Sequence, residues 1–133
     1  MPISAKEVQE LRKISGAGMM ECKSALSDSD GDITKAFKLL REKGIAKAEK
    51  KSSREANEGL IGVKVRDSNA SIVEINSETD FVSRNSEFHE LVNSILDIAI
   101  TSSESQLNNN QEVIELINNA VGKIGENIVL RRS

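Results

Sequence analysis

Residues 45–58, IAKAEKKSSREANE, lack a continuous apolar stripe, and the chain changes its hydrophobic period across them. Before this segment apolar residues recur at helical spacing; after it they alternate with polar ones, as in a half-buried strand. A chain with both periods builds a helical unit and a sheet-bearing unit, so the expected class is α+β. The Lys, Arg and Ser that dominate 45–58 mark it as a basic linker or a solvated helical connection between units at 1–44 and 59–133.

The first unit punctuates as three short helices. Ser4 and Glu7 have capping-box spacing, and Val8, Leu11 and Ile14 follow on one face until GAGMM (16–20) breaks the pattern. In the second helix Met19, Cys22, Ala25 and Leu26 share a stripe, and DSDGD supplies its end. Asp32 is placed to cap the third helix, where Ile33, Ala36, Phe37 and Leu40 sit at i, i+3, i+4 and i+7, with Gly44 at its expected stop.

In the second unit LIGVKV sets Ile61, Val63 and Val65 against Gly62, Lys64 and Arg66, and SIVEIN sets Val73 and Ile75 against Glu74 and Asn76. With RDSNA between them the two runs predict an antiparallel hairpin. Phe88, Leu91, Val92, Ile95, Ile98 and Ala99 form one helical stripe. TSSESQLNNNQ reads as a polar loop, and Val113, Leu116, Ile117, Ala120 and Ile124 form a second stripe, whose end Gly122 and Gly125 weaken. IVLRR is short and β-branched at its start and predicts a third strand. The unit is then a small antiparallel sheet of about three strands packed with two helices.

Several functions are disfavoured. One cysteine, Cys22, forms no internal disulfide, and with a single histidine, His89, it cannot close a tetrahedral zinc site. A reducing, cytoplasm-like compartment fits best, and neither a signal-type segment nor a bilayer-length apolar run is present in the sequence. His89 lies beside the apolar stripe of its helix and reads as a surface or half-buried side chain, and Cys22 reads as a small buried hydrophobe. Nothing resembles a phosphate-binding GxxxxGK or a strand-linked GxGxxG, and the linker lysines lack aromatics on which bases would stack. No cofactor, nucleic-acid partner or membrane partner is therefore expected.

The net charge of −3 conceals a polarity: residues 1–66 carry +4, 67–115 carry −9, and 116–133 carry +2. Such a field steers a complementary partner, although a solvated surface is the commoner meaning of a charge bias. Met19 and Met20 are adjacent, so one helical stripe cannot bury both, and an outward thioether makes an adaptable contact. Phe81 sits among polar residues in SETDFVSRN (77–85). By hydrophobicity alone it should tuck beneath the sheet, since a lone exposed Phe is a liability.

Four blocks, LRKISGAGMMECKSAL, GDITKAFKLLREKG, INSETDFVSRN and KIGENIVLRR, occur in the order seen in elongation factor Ts, which the chain resembles from about residue 3 to its end. That family comprises guanine-nucleotide exchange factors of elongation factor Tu. The resemblance implies a three-helix N-terminal domain of ubiquitin-associated type, a linker, and the N-terminal half of the family's core domain. Family members continue beyond the RR motif, so it also implies that the C-terminal half of the core is lacking here. By the same resemblance Thr79, Asp80, Phe81 and Val82 form a turn that disturbs the magnesium site of elongation factor Tu, with Asp80 and Phe81 intruding. Arg12, Met19, Met20 and Lys23 would contact the GTPase from the helical domain, and Ile124 and Gly125 from the core. The implied activity is GDP release from elongation factor Tu, bound in its GDP and nucleotide-free states, without covalent chemistry. The alternative is a non-catalytic interaction module of ubiquitin-associated type, in which TDFV has no role.

Overall fold

A computed structural model describes residues 2–102 and 107–133. Three helices, α1 (Ala5–Ser15), α2 (Met19–Asp28) and α3 (Ile33–Lys51), precede the hairpin of β1 (Glu58–Arg66) and β2 (Asn69–Ser77). A single helical turn, α4 (Asp80–Ser83), then leads into α5 (Ser86–Thr101), α6 (Gln111–Ile124) and β3 (Val129–Arg132). The sheet is antiparallel in the order β1-β2-β3, which bears out the α+β class. The polar loop expected at 101–111 lies partly outside the described residues.

Local chemistry sets the helix starts. Ser4 and Glu7 form the complete capping box, and hydrogen bonds from the Ser4 N–H and then the Ser4 hydroxyl hold the Glu7 carboxyl below its ordinary value. The Asp32 carboxylate accepts from Lys35 N–H at 3.1 Å to start α3. Val8, Leu11, Cys22, Ala25, Leu26 and Ala36 then make a miniature core among the three helices. Ile14, expected on the buried face of α1, is instead 59% exposed.

Gly44 does not end the third helix. Helix α3 runs on to Lys51, so the first part of the basic segment is helical. Gly44 is buried against α6: a Cβ built on Gly122 would stand 3.5 Å from the Gly44 Cα, and one built on Gly44 3.6 Å from the Asn118 carbonyl oxygen. The glycine that looks like a stop signal is a close helix crossing, and α6 supplies the packing that keeps α3 helical through it. Arg41–Glu115 and Lys51 Nζ to the Gly125 carbonyl (2.9 Å) fasten the same seam.

The larger core lies between the sheet and α5 and α6, with Val73, Ile75, Phe88, Leu91, Val92 and Ile95 buried in it. Helix α5 crosses β1 and β2, and α6 packs on α5 and α3. In β2 the apolar-in reading holds for Val73 and Ile75, but in β1 the alternation has the opposite sense. Ile61, Val63, Val65 and Ile72 face outward and are exposed, while Gly62 faces α5. A Cβ on Gly62 would stand 2.6 Å from Val92 Cγ1 and 2.8 Å from Leu96 Cδ1, so α5 lies too close for any side chain there. Leu96, Ile100 and Val121 are buried in addition to the residues the periodicity selects.

Candidate functional site

The sheet hands the chain to α5 through the TDFV turn. Strand β2 ends at the buried Ser77, whose hydroxyl donates to the Thr79 carbonyl at 3.0 Å. Thr79, in extended backbone, is the N-cap of α4, and its side-chain oxygen accepts from Val82 N–H at 3.4 Å. Val82 packs on the larger core. Asp80 pairs with Arg84 one turn later at 3.4 Å, and the Ser83 carbonyl lies 3.0 Å from His89 Nε2. His89 thus secures the end of the turn, a structural use that its helical position alone does not reveal.

Phe81 projects from this turn into solvent with 84% of its surface exposed. The burial that its hydrophobicity favours is overturned, for a local reason. In a single helical turn Val82 takes the inward position, so its neighbour Phe81 points away. The result is an apolar ring beside a carboxylate, both facing outward from a short, tightly bonded support.

A second segment grips that support. Helix α6 ends in the left-handed cap Gly125, φ +89°, a conformation natural to glycine, which redirects the chain at once into Glu126 and Asn127. Glu126 Oε1 accepts from Thr79 N–H at 3.0 Å and its Oε2 accepts from the Thr79 hydroxyl at 2.8 Å. In return Glu78 Oε1 accepts from Asn127 N–H at 2.8 Å, and Arg54 stands 3.5 Å from the same carboxylate. The Asn127 amide donates to the Arg54 carbonyl at 2.7 Å. Thus Glu78–Thr79, at the start of the TDFV turn, and Glu126–Asn127, directly after Ile124–Gly125, are brought together although far apart in sequence. Glu78, Glu126, Asn127 and Arg54 escaped sequence reasoning, because nothing in a local pattern marks partners 47 and 49 residues apart.

On the helical unit, Met19 and Met20 are both exposed, at 51% and 74%, because α2 begins at Met19 and its first turn overhangs the bundle. Lys23 and Arg12 are exposed as well. Arg12 shares a recess with Gly16, Glu87 and Lys123, and Lys123 pairs with Glu87 at 3.4 Å. This recess brings the α1–α2 corner beside the end of α6 and the start of α5. Among the described residues no hydrogen bond or ion pair joins Met19, Met20 or Lys23 to the TDFV turn. Lys47 pairs with Glu21 on α2 and, as its hydrogen-bonding partner, holds the Glu21 carboxyl below its ordinary value. Cys22 is buried, with Sγ 3.7 Å from the Ser15 hydroxyl and 3.8 Å from the Ala17 carbonyl oxygen. Among the described residues no group of three or more His, Cys, Asp or Glu is placed to hold a metal ion. No described helix is long and apolar enough to cross a membrane.

A family model described as Elongation factor TS matches residues 78–133, from the carboxylate before the turn through β3. Elongation factor Ts of Bartonella tribocorum (strain CIP 105476 / IBS 506) is 49% identical over 141 aligned residues, which take in 100% of this chain. The chain belongs to the elongation factor Ts family. It spans 46% of that relative's length. The family match begins at Glu78, so the mutual grip of Glu78–Thr79 and Glu126–Asn127 lies wholly inside the part of the chain that carries the elongation factor Ts pattern.

Proposed function

We propose that this chain binds elongation factor Tu and promotes release of its GDP, so that GTP can follow. In this reading Asp80 and Phe81 are the working side chains. Magnesium bridges the GTPase and the β-phosphate of bound GDP, and it anchors the tightest part of that site. A ring that wedges between neighbouring side chains and a carboxylate that competes for their hydrogen bonds both loosen the metal's surroundings. Each tenfold gain in release needs only about 1.4 kcal/mol from the barrier. No bond is made or broken, so the chain is an exchange factor and not an enzyme of covalent chemistry.

The observation that carries the reading is the 84% exposure of Phe81 on a turn held from two sides. A ring presented in this way has no packing role within the chain. The exposed Arg12, Met19, Met20 and Lys23 offer a second contact area on the helical unit, and Ile124 and Gly125 directly precede Glu126, which is bonded to the turn. Thermodynamic linkage adds a requirement: GDP must weaken binding of this chain to the GTPase by the factor that the chain weakens GDP. Binding then extends to both GDP-bound and nucleotide-free elongation factor Tu, in the cytoplasm where translation proceeds.

The test is release of a fluorescent GDP analogue from elongation factor Tu, chased with excess unlabelled GDP, across a titration of this chain. The expected outcome is a release rate that rises and saturates. A rate unchanged at concentrations that give a demonstrable complex would overturn the proposal.

A further inference from the structure

We propose that Glu126 is a positioning residue for exchange, fixing the direction in which Asp80 and Phe81 point by clamping Thr79. The inference rests on the exchange reading above and adds a residue to it. Helix α4 has four residues, far below the length at which a helix sustains itself in water. Phe81 contributes almost no burial to hold the turn, and the Asp80–Arg84 pair is exposed, with 48% and 81% of the two side chains open to solvent. Val82 and the buried Ser83 seat one face of the turn on the core, and what holds the direction of its opposite, outward face must come largely from beyond the turn.

Glu126 is well suited to that task. Its two oxygens take both donors of Thr79, the backbone N–H and the hydroxyl, at 3.0 and 2.8 Å. A carboxylate bound in this two-point manner fixes orientation as well as distance, and hydrogen bonds to a charged acceptor are the stronger kind. The hydroxyl it grips is also the α4 cap, facing Val82 N–H, so rotation of Thr79 would carry the whole turn with it. Glu126 is in turn aimed by the left-handed Gly125 cap, and the Glu78–Asn127 bond closes the pairing in the reverse sense. The two segments lock reciprocally, so neither can swing without releasing the other.

The experiment measures exchange on elongation factor Tu with wild type, E126A, E126Q, T79V and the E126A/T79V pair, alongside amide hydrogen exchange of each free chain. For E126A the limiting release rate should fall at least about tenfold, while the half-saturating concentration moves less than about threefold, because the helical unit still binds. In E126Q the side-chain carbonyl still accepts from Thr79 N–H and the amide donates to the Thr79 oxygen, so most of the rate should return. The pair should lose less than the product of the two single losses, because the bond between the Thr79 hydroxyl and Glu126 is shared, while the Thr79 N–H bond and the Val82 cap each belong to one variant alone. In the free chain, amide protection at 80–83 should fall in E126A and recover in E126Q. An E126A rate within twofold of wild type, a loss confined to the half-saturating concentration, or losses that multiply in the pair would overturn the inference. If wild type itself leaves release unchanged, the exchange reading fails, and unaltered protection at 80–83 in E126A would then sink the clamp on its own.

Discussion

Replacing Phe81 with alanine separates a working ring from a structural one. With 84% of its surface exposed, about a sixth of the ring is covered by the fold. Full burial of a phenylalanine is worth about 1.5–3 kcal/mol, so removing this ring forfeits about 0.3–0.5 kcal/mol of burial. Alanine recovers roughly 0.5 kcal/mol in helix propensity at this position inside α4. The two effects nearly cancel, and the thermal midpoint should move by no more than about 2 °C, on the scale of about 4 °C per kcal/mol for a chain of this size. A core phenylalanine would instead cost about 3–5 kcal/mol. Exchange should respond in the opposite proportion. If the ring is fully buried against the GTPase as GDP leaves, its removal adds about 1.5–3 kcal/mol to the barrier, a loss of about ten- to 150-fold in release rate. The assays are calorimetric unfolding of the free chain and release of the fluorescent GDP analogue. A fall in stability above about 2 kcal/mol, or a release rate within twofold of wild type, would refute the reasoning at the first or the second step.

Three further outcomes follow from the packing. At Gly44 a Cβ meets its neighbours at ordinary van der Waals distance, 3.6 Å, so Gly44→Ala should be neutral or stabilising by up to about 1 kcal/mol, whereas Gly44→Leu should wedge α3 from α6 and lower the unfolding midpoint. Gly62→Ala drives a methyl into Val92 and Leu96 and should cost about 1–3 kcal/mol by denaturant titration; adding Leu96→Ala should give less than the sum of the two single losses. The Glu21 carboxyl is lowered by Lys47, so its contribution is fully present above its ordinary value near 4.5 and is lost as pH falls through the lower folded value. Unfolding of Lys47→Met followed from pH 7 to pH 3 should show a shallower acid decline than wild type, and identical slopes would remove the pair from the balance.

Local rules were legible and long-range ones were not. The Ser4–Glu7 box and the Asp32 cap involve partners three residues apart, and both stand where spacing puts them. Strand periodicity located both strands and the sense of β2, whose Val73 and Ile75 are buried, but not the sense of β1: Ile61, Val63 and Val65 alternate as required yet look outward, because what decides the face is the approach of α5 to Gly62. Gly44 fails as a stop signal for the same kind of reason, since a glycine at a helix crossing and a glycine at a helix end look alike until the crossing partner is known. Phe81 divides the two sources of inference. Hydrophobicity pointed it inward, whereas the likeness of its block to elongation factor Ts implied an outward ring, and the outward ring is what stands. The Glu126–Thr79 grip was invisible to either, because each residue is unremarkable beside its own neighbours.

Helix α3 also has a mechanical meaning. Its nineteen residues make a rod about 28 Å long. Ala36 near one end is sealed into the bundle, Gly44 rests on α6 midway, and Lys51 at the other end holds the carbonyl of the Gly125 cap. One helix thus spans from the bundle that carries the methionines of α2 to the cap that precedes Glu126, and swinging the bundle away as a unit would open the Gly44–Gly122 crossing and break the Lys51 contact.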